Sequence, residues 1–189
     1  MTNPQPGKAQ LRRSLLKTRQ SMPVEEWREK SDRICFHLQS SPLFTQSQTI
    51  LAYFSFRQEP DLSPLFKNTK QCWGFARCVD KSLSWHSWKP GEPLQTGAYG
   101  IFEPLSDSPG LQPNEVDLIL VPAVACDVRG YRLGYGGGFY DRMLSSPAWQ
   151  AKLTIGIVFE FADLPQLPVD DWDKQLHGVC TEIGLRMTQ

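Results

Sequence analysis

Leu11, Leu15 and Leu16 recur at helical spacing through residues 8–20, Arg19 continues their stripe, and Lys8 and Arg12 share a neighbouring face. The pattern predicts a first helix. Pro23 suits the first turn of a second, Glu25 and Glu26 favour its positive end, and Trp27, Ile34, Cys35 and Leu38 form a core stripe up to the break at Ser40-Ser41-Pro42. Residues 49–56 then change period, from helical stripes to a short apolar and aromatic run that predicts a largely buried strand. Residues 72–79 and 83–88, joined at residues 80–82, alternate as a pair of strands. Residues 89–103 carry Pro90, Gly91, Pro93, Gly97 and Gly100 and predict a surface loop, as does the proline-rich stretch 106–113. A buried strand follows within residues 116–125. Beyond it come a helix over 143–151 broken or bent at Pro147, a strand over 153–159 and a last strand over 179–185. Helices first, then strands alternating with helices and loops, define the class as α/β, a sheet with helices on its faces.

The densest chemistry lies at residues 127–142, DVRGYRLGYGGGFYDR. A buried strand that runs into Gly134, Gly136, Gly137 and Gly138 and resumes as a helix brings unhindered backbone N–H groups to one point, which attracts phosphate. Arg129, Arg132 and Arg142 flank the glycines with planar, permanently charged donors. Asp141 among them suits Mg²⁺, which takes one or two carboxylates together with phosphate oxygens. The glycines are not a Walker loop, since no Lys-Ser/Thr follows, and taken alone they are equally a tight turn.

Composition narrows the partners. At 189 residues the chain fits one domain. Twenty basic and twenty acidic residues cancel, so no global field recruits nucleic acid or anionic lipid, and a small-molecule partner is expected. The five cysteines are scattered and odd in number, which suits a reduced, cytoplasmic protein; neither they nor the three histidines have zinc-ligand spacing. No apolar run approaches the ~20 residues of a membrane helix, and residues 1–7 are expected to be disordered.

The string RLGYGGGFYDR (residues 132–142), preceded by Leu120-Val-Pro and Asp127, resembles the signature of the 5-formyltetrahydrofolate cyclo-ligases, a likeness that thins but continues from Lys8 to about Thr181. The resemblance implies a single-domain three-layer α/β/α fold with a mostly parallel or mixed sheet, spanning 1–189. It implies ATP- and Mg²⁺-dependent closure of 5-formyltetrahydrofolate to 5,10-methenyltetrahydrofolate; separately, a monomer is expected, although the sequence does not reveal oligomeric state. Lys8 and Arg12, which alone read as a solvated basic face, match a K-x-x-L-R string whose cations approach the ATP phosphates. With Arg132 and the loop Gly134, Tyr135, Gly136, Gly137, Gly138, Phe139 and Tyr140 they form the implied ATP site. Phe54, Glu59, Tyr99 and Tyr140 correspond to the folate side, although Glu59 alone reads equally as the start of a short helix. Arg132, Tyr140 and Asp141 are the implied catalytic residues. Asp173, one of three aspartates otherwise read as a solvated turn with Asp170 and Asp171, joins Asp141 on the metal. Phe139, Ala76 and Ala162 depart from the family's usual tyrosine, proline and glutamine. A nucleotide-binding module without catalysis would not need both Asp141 and Asp173; a sugar-phosphate isomerase or CoA-transferase-like enzyme would need a base at a strand end, for which Glu59 is the candidate.

Overall fold

The computed structural model describes residues 7–68 and 70–188. Helix α1, Lys8–Gln20, opens at Gly7, and α2, Val24–Gln39, follows from Pro23; the short α3, Pro42–Thr45, begins at Ser41, whose hydroxyl accepts from Leu43 N. Strand β1, Thr49–Ala52, precedes α4, Ser63–Phe66, then β2, Cys72–Val79, and β3, Ser82–Ser87. A small hairpin, β4 Leu94–Thr96 and β5 Phe102–Pro104, leads to β6, Leu118–Pro122, β7, Ala125–Asp127, and β8, Arg132–Leu133. Helix α5, Phe139–Leu144, is followed by β9 Leu153–Ile157, β10 Asp163–Leu164, β11 Gly178–Cys180 and β12 Leu185–Met187.

Seven strands form the main sheet in the order β12-β11-β9-β6-β1-β2-β3, parallel from β11 to β2 with an antiparallel strand at each edge. Because successive side chains of a strand face opposite ways, β1 and β6 supply both faces. Ile50, Ala52, Leu118 and Leu120 join Ile34, Leu38, Phe44 and Leu65 beneath α2, α3 and α4. Leu51, Ile119 and Val121 join Met143, Leu144 and the flanking Leu11, Leu15 and Leu16 beneath α5 and α1. Three layers result, as the α/β/α expectation requires. Leu120 and Ile119 are wholly buried, a burial that stabilises by about 1.5–3 kcal/mol for each such side chain.

The topology also sets where a ligand goes. From β1 the chain moves to β2 on one side, then returns to place β6 on the other, so strand order reverses between β1 and β6. In open α/β sheets the crevice outside the carboxyl ends of strands at such a reversal takes the ligand. A second sheet, β10-β7-β8, hangs beyond β6 and carries the glycine-rich segment to that crevice.

Three expectations change. Residues 89–103 are not one loop, because β4 and β5 pair from Leu94↔Pro104 to Thr96↔Phe102; their brevity and the glycines at their turn hid them. The helix expected to resume after the glycines and to be completed over 143–151 runs from Phe139 but stops at Leu144, before Pro147, since proline disfavours helical backbone in the residue ahead of it. The last strand is two, β11 and β12, joined by a turn in which Thr181 and Gly184 exchange backbone hydrogen bonds. Residues 1–6 of the stretch expected to be disordered lie outside the described residues.

Candidate active site

A cavity of about 390 Å³ opens at the carboxyl ends of β1 and β6, between the segment 52–59, β2, the β4–β5 hairpin and the glycine-rich segment. Its two ends differ in chemistry. At one, Phe54 stacks on Phe75 with ring centres 4.2 Å apart and planes 10° apart, and Phe66 and Trp88 meet Phe54 edge-on. An aromatic held on three sides is a rigid wall for a flat ligand.

Beside it the backbone makes a tight turn in which Arg57 and Gln58 both take left-handed φ values of 49° and 55°. Such conformations cost non-glycine residues on the order of 1–3 kcal/mol each and persist only where surrounding structure holds them. The turn swings Glu59 inward. Its carboxylate is 4% exposed and accepts from Phe56 N at 3.1 Å. Trp27 Nε1 and Ser55 Oγ both donate to Glu59 O, at 2.9 and 2.7 Å, and fix the residue's backbone. Burial pushes the Glu59 carboxyl up to about 7, against the Arg19 charge and hydrogen bonds from Tyr135 and Phe56 that favour ionisation. Glu59 is therefore no helix-capping residue; α4 begins later, with Asp61 Oδ1 accepting from Ser63 N.

At the other end lies the glycine-rich segment. Gly136 and Gly138 have φ of 101° and 67°, conformations that side chains rarely adopt, and Gly138 caps α5. Arg12 Nε donates to Gly134 O at 2.7 Å and so ties α1 to the segment. Beneath Gly134 runs Arg132, whose guanidinium lies 5.3 Å from the centre of the Tyr140 ring. Its Nη2 is 2.9 Å from Asp141 Oδ1 but not aligned for a hydrogen bond, and neither Nε nor Nη2 finds a hydrogen-bond partner among the described residues. Buried donors of this kind are costly and rare unless something accepts from them. Burial pushes the Tyr140 hydroxyl well above its ordinary range, so it stays a donor.

The remaining expected ligands are close by but engaged. Lys8 Nζ contacts Asp170 Oδ2 at 2.6 Å and Asp173 Oδ2 at 2.5 Å, and Asp173 also accepts from Asp170 N at 2.8 Å. Lys8 precedes Arg12 by about one helical turn, which puts this acidic turn near the glycines but outside the cavity wall. No cluster of three or more acidic, histidine or cysteine side chains able to hold a metal occurs among the described residues. Asp141 and Asp173 nevertheless offer oxygen ligands only, each beside a cation suited to a shared phosphate. Carboxylate oxygens are the kind of donor Mg²⁺ takes together with phosphate oxygens.

Phe54, Glu59, Tyr99, Arg132, Gly134, Tyr135, Gly137, Phe139 and Tyr140 all line the cavity. Lys8, Arg12, Gly136, Gly138, Asp141 and Asp173 are not on its wall, and neither are the two other arginines that flank the glycines. Arg129 turns to Asp127, 2.6 Å away and wholly buried, and to Leu167 O; Arg142 donates to Lys81 O and covers Phe139 from outside. Arg129 sits in the turn between β7 and β8 and Arg142 on α5, and their partners hold both away from the cavity wall. Phe139 meets Tyr99 edge-on at 5.8 Å, Ala76 lines the cavity, and Ala162 is buried in a short turn at Glu160–Ala162. Sequence reasoning gave no site role to Phe56, Cys78 or Glu103, all on the cavity wall. It also read Arg19 only as part of a helical stripe, although a cation on an apolar stripe is itself a signal.

An open α/β sheet with a ligand cavity at its reversal, a buried carboxyl at one end and unpartnered guanidinium donors at the other, defines an enzyme of small molecules. The chain belongs to the 5-formyltetrahydrofolate cyclo-ligase family, whose model matches residues 4–182, and it is a ligase of folate metabolism. It is 28% identical over 182 residues to the 5-formyltetrahydrofolate cyclo-ligase of Haemophilus influenzae, covering 90% of this chain and 95% of that one. It is 31% identical over 191 residues to the enzyme of that name from Mycolicibacterium smegmatis, covering 93% of each. The NMR structure of Aquifex aeolicus 5,10-methenyltetrahydrofolate synthetase superposes with a TM-score of 0.86 at 33% identity, over 96% of this chain and 93% of that one.

Proposed function

We propose that this chain, acting as a single cyclo-ligase domain, converts 5-formyltetrahydrofolate to 5,10-methenyltetrahydrofolate with ATP and Mg²⁺, releasing ADP and phosphate. The observation that carries the reading is the two-ended cavity: an aromatic slot with a buried carboxyl faces Arg132 donors that lack acceptors. A pterin is flat and rich in ring N–H groups, so Phe54 provides a stacking wall and Glu59 an acceptor. Tyr99 on the hairpin and Tyr140 below close the slot.

The chemistry explains the phosphate end. A formamide oxygen is a poor leaving group when N10 attacks the formyl carbon. Transfer of the terminal phosphoryl group of ATP to that oxygen makes it leave as phosphate; the new N10–carbon bond replaces the carbon–oxygen bond, and N10 loses its proton. Lys8, Arg12 and Arg132 bind phosphate oxygens, while the backbone N–H groups of Gly134 to Gly138 cradle them. Tyr135 and Phe139 support the nucleotide side of the loop. Tyr140, a protonated hydroxyl beside Arg132, donates to the oxygen being phosphorylated or to its phosphate. Mg²⁺ held by Asp141 and Asp173 supplies neutralisation of the charge on the triphosphate.

Near-ultraviolet absorbance of the methenyl product tests the proposal. Product is expected from 5-formyltetrahydrofolate only with Mg-ATP present, one ADP formed per product. Product formation without ATP, or ATP hydrolysis without product, overturns it.

A further inference from the structure

Arg19 is 4% exposed, yet it lies on α1, remote in sequence from every residue that lines the cavity. Its three nitrogens reach three different segments. Nε donates to Arg57 O at 3.0 Å, in the left-handed turn after β1; Nη1 donates to Ala123 O at 3.2 Å, just after β6; Nη2 donates to the hydroxyl of Tyr135 in the glycine-rich segment. The guanidinium also lies 5.6 Å from the centre of the Tyr135 ring. The Tyr135 hydroxyl is close enough to the Glu59 carboxyl to favour its ionised form. All three direct acceptors are neutral, so no acid among the described residues touches the buried charge, and Glu59 is the carboxyl on which that charge acts.

We propose that Arg19 is a positioning residue: it locks the Glu59 turn, the end of β6 and the glycine-rich segment into one register and sets its charge near the Glu59 carboxyl, the proposed pterin acceptor. The inference rests on the folate-side reading of Glu59. A planar fork is required, since an ammonium is a single point that cannot span acceptors on three segments. The strained turn at Arg57 and Gln58 is held in place partly by this bond to Arg57 O. Other groups acting on Glu59 are the Phe56 N–H, which favours ionisation, and the Tyr53 and Tyr140 hydroxyls, both of which stay protonated. With those tyrosines neutral, Arg19 is the charge that opposes the effect of burial on Glu59.

The test compares the full chain with Arg19→Gln, Arg19→Lys and Tyr135→Phe by two readouts: titration of the ¹³C-labelled Glu59 carboxyl, assigned through Glu59→Gln, and steady-state kinetics. Arg19→Gln is expected to raise the carboxyl midpoint by about one unit or more. It should raise KM for 5-formyltetrahydrofolate about tenfold with a smaller change in kcat, and Arg19→Lys should rescue the titration in part but not KM. Tyr135→Phe keeps the ring and breaks only the link, so it serves if Arg19→Gln fails to fold; its effects and those of Arg19→Lys should fall short of multiplying in the double variant. An unchanged midpoint and unchanged KM in folded Arg19→Gln or Tyr135→Phe overturn the proposal, as does full multiplication. If the parent chain makes no methenyl product but the midpoint still shifts, the folate reading fails while the link between Arg19 and Glu59 stands.

Discussion

The two ends of the cavity are prepared in opposite ways. The aromatic end is finished: Phe54 is wedged among three rings, and Glu59 is fixed by Phe56 N, with its own carbonyl held by Trp27 and Ser55. At the phosphate end Arg132 lies beside Asp141, and outside the cavity wall next to it Lys8 is paired with Asp170 and Asp173. Under the proposed function a pterin entering the first end would meet a preformed surface, whereas a nucleotide at the second would have to exchange these ion pairs for its own phosphates and metal. On that reading rigidity serves the group recognised by shape, and replaceable charge serves the group that is transferred.

Substitutions at the two ends should separate accordingly. Asp141→Asn is expected to have the largest effect, lowering kcat about 10³-fold with little change in KM for the folate, because its charge is used mainly as the phosphoryl group moves. Near-normal turnover would remove the metal role. Glu59→Gln should lower kcat/KM for 5-formyltetrahydrofolate about 10- to 100-fold through KM, leaving KM for ATP nearly unchanged. Lys8→Met should do the reverse at smaller size, raising KM for ATP about tenfold. A common rise in both KM values for either variant would erase the distinction between the ends. Arg129→Gln, outside the cavity, should cost about 1 kcal/mol of stability in denaturant melts and leave both KM values within twofold, since Asp127 keeps its backbone donors.

Acidity sharpens the same contrast. The Glu59 carboxyl rises from the usual 4.5 to about 7, so the folded state holds its proton more tightly than the unfolded chain. Its contribution to stability is present in full below about 4.5 and is lost as pH rises through about 7, a change of up to about 3 kcal/mol. Glu59→Gln should accordingly melt several degrees above the parent chain at pH 8 and near it at pH 5. Folate affinity should move the other way, improving as the carboxylate forms, and a parallel decline in both would contradict the acceptor role.

Much of this architecture is readable from local pattern. The helical stripes of α1 and α2 and the alternation in β2 and β3 are short-range consequences of side-chain period, and the glycine-rich string is recognisable because few residues tolerate its backbone. The hairpin β4–β5 escaped because its strands are short and its turn is rich in glycine. Phe56, Cys78 and Glu103 escaped because nothing local marks an apolar, thiol or acidic side chain as facing a cavity built from distant segments.

The sequence by itself determined the α/β class and the family likeness, since each rests on residue types at fixed spacing. Tertiary structure alone decided which of three arginines faces the cavity, that Lys8 binds Asp170 and Asp173, and that Glu59 is buried with a carboxyl raised to about 7. Those facts depend on burial and on charges brought together across more than a hundred residues, and neither exists until the sheet has closed.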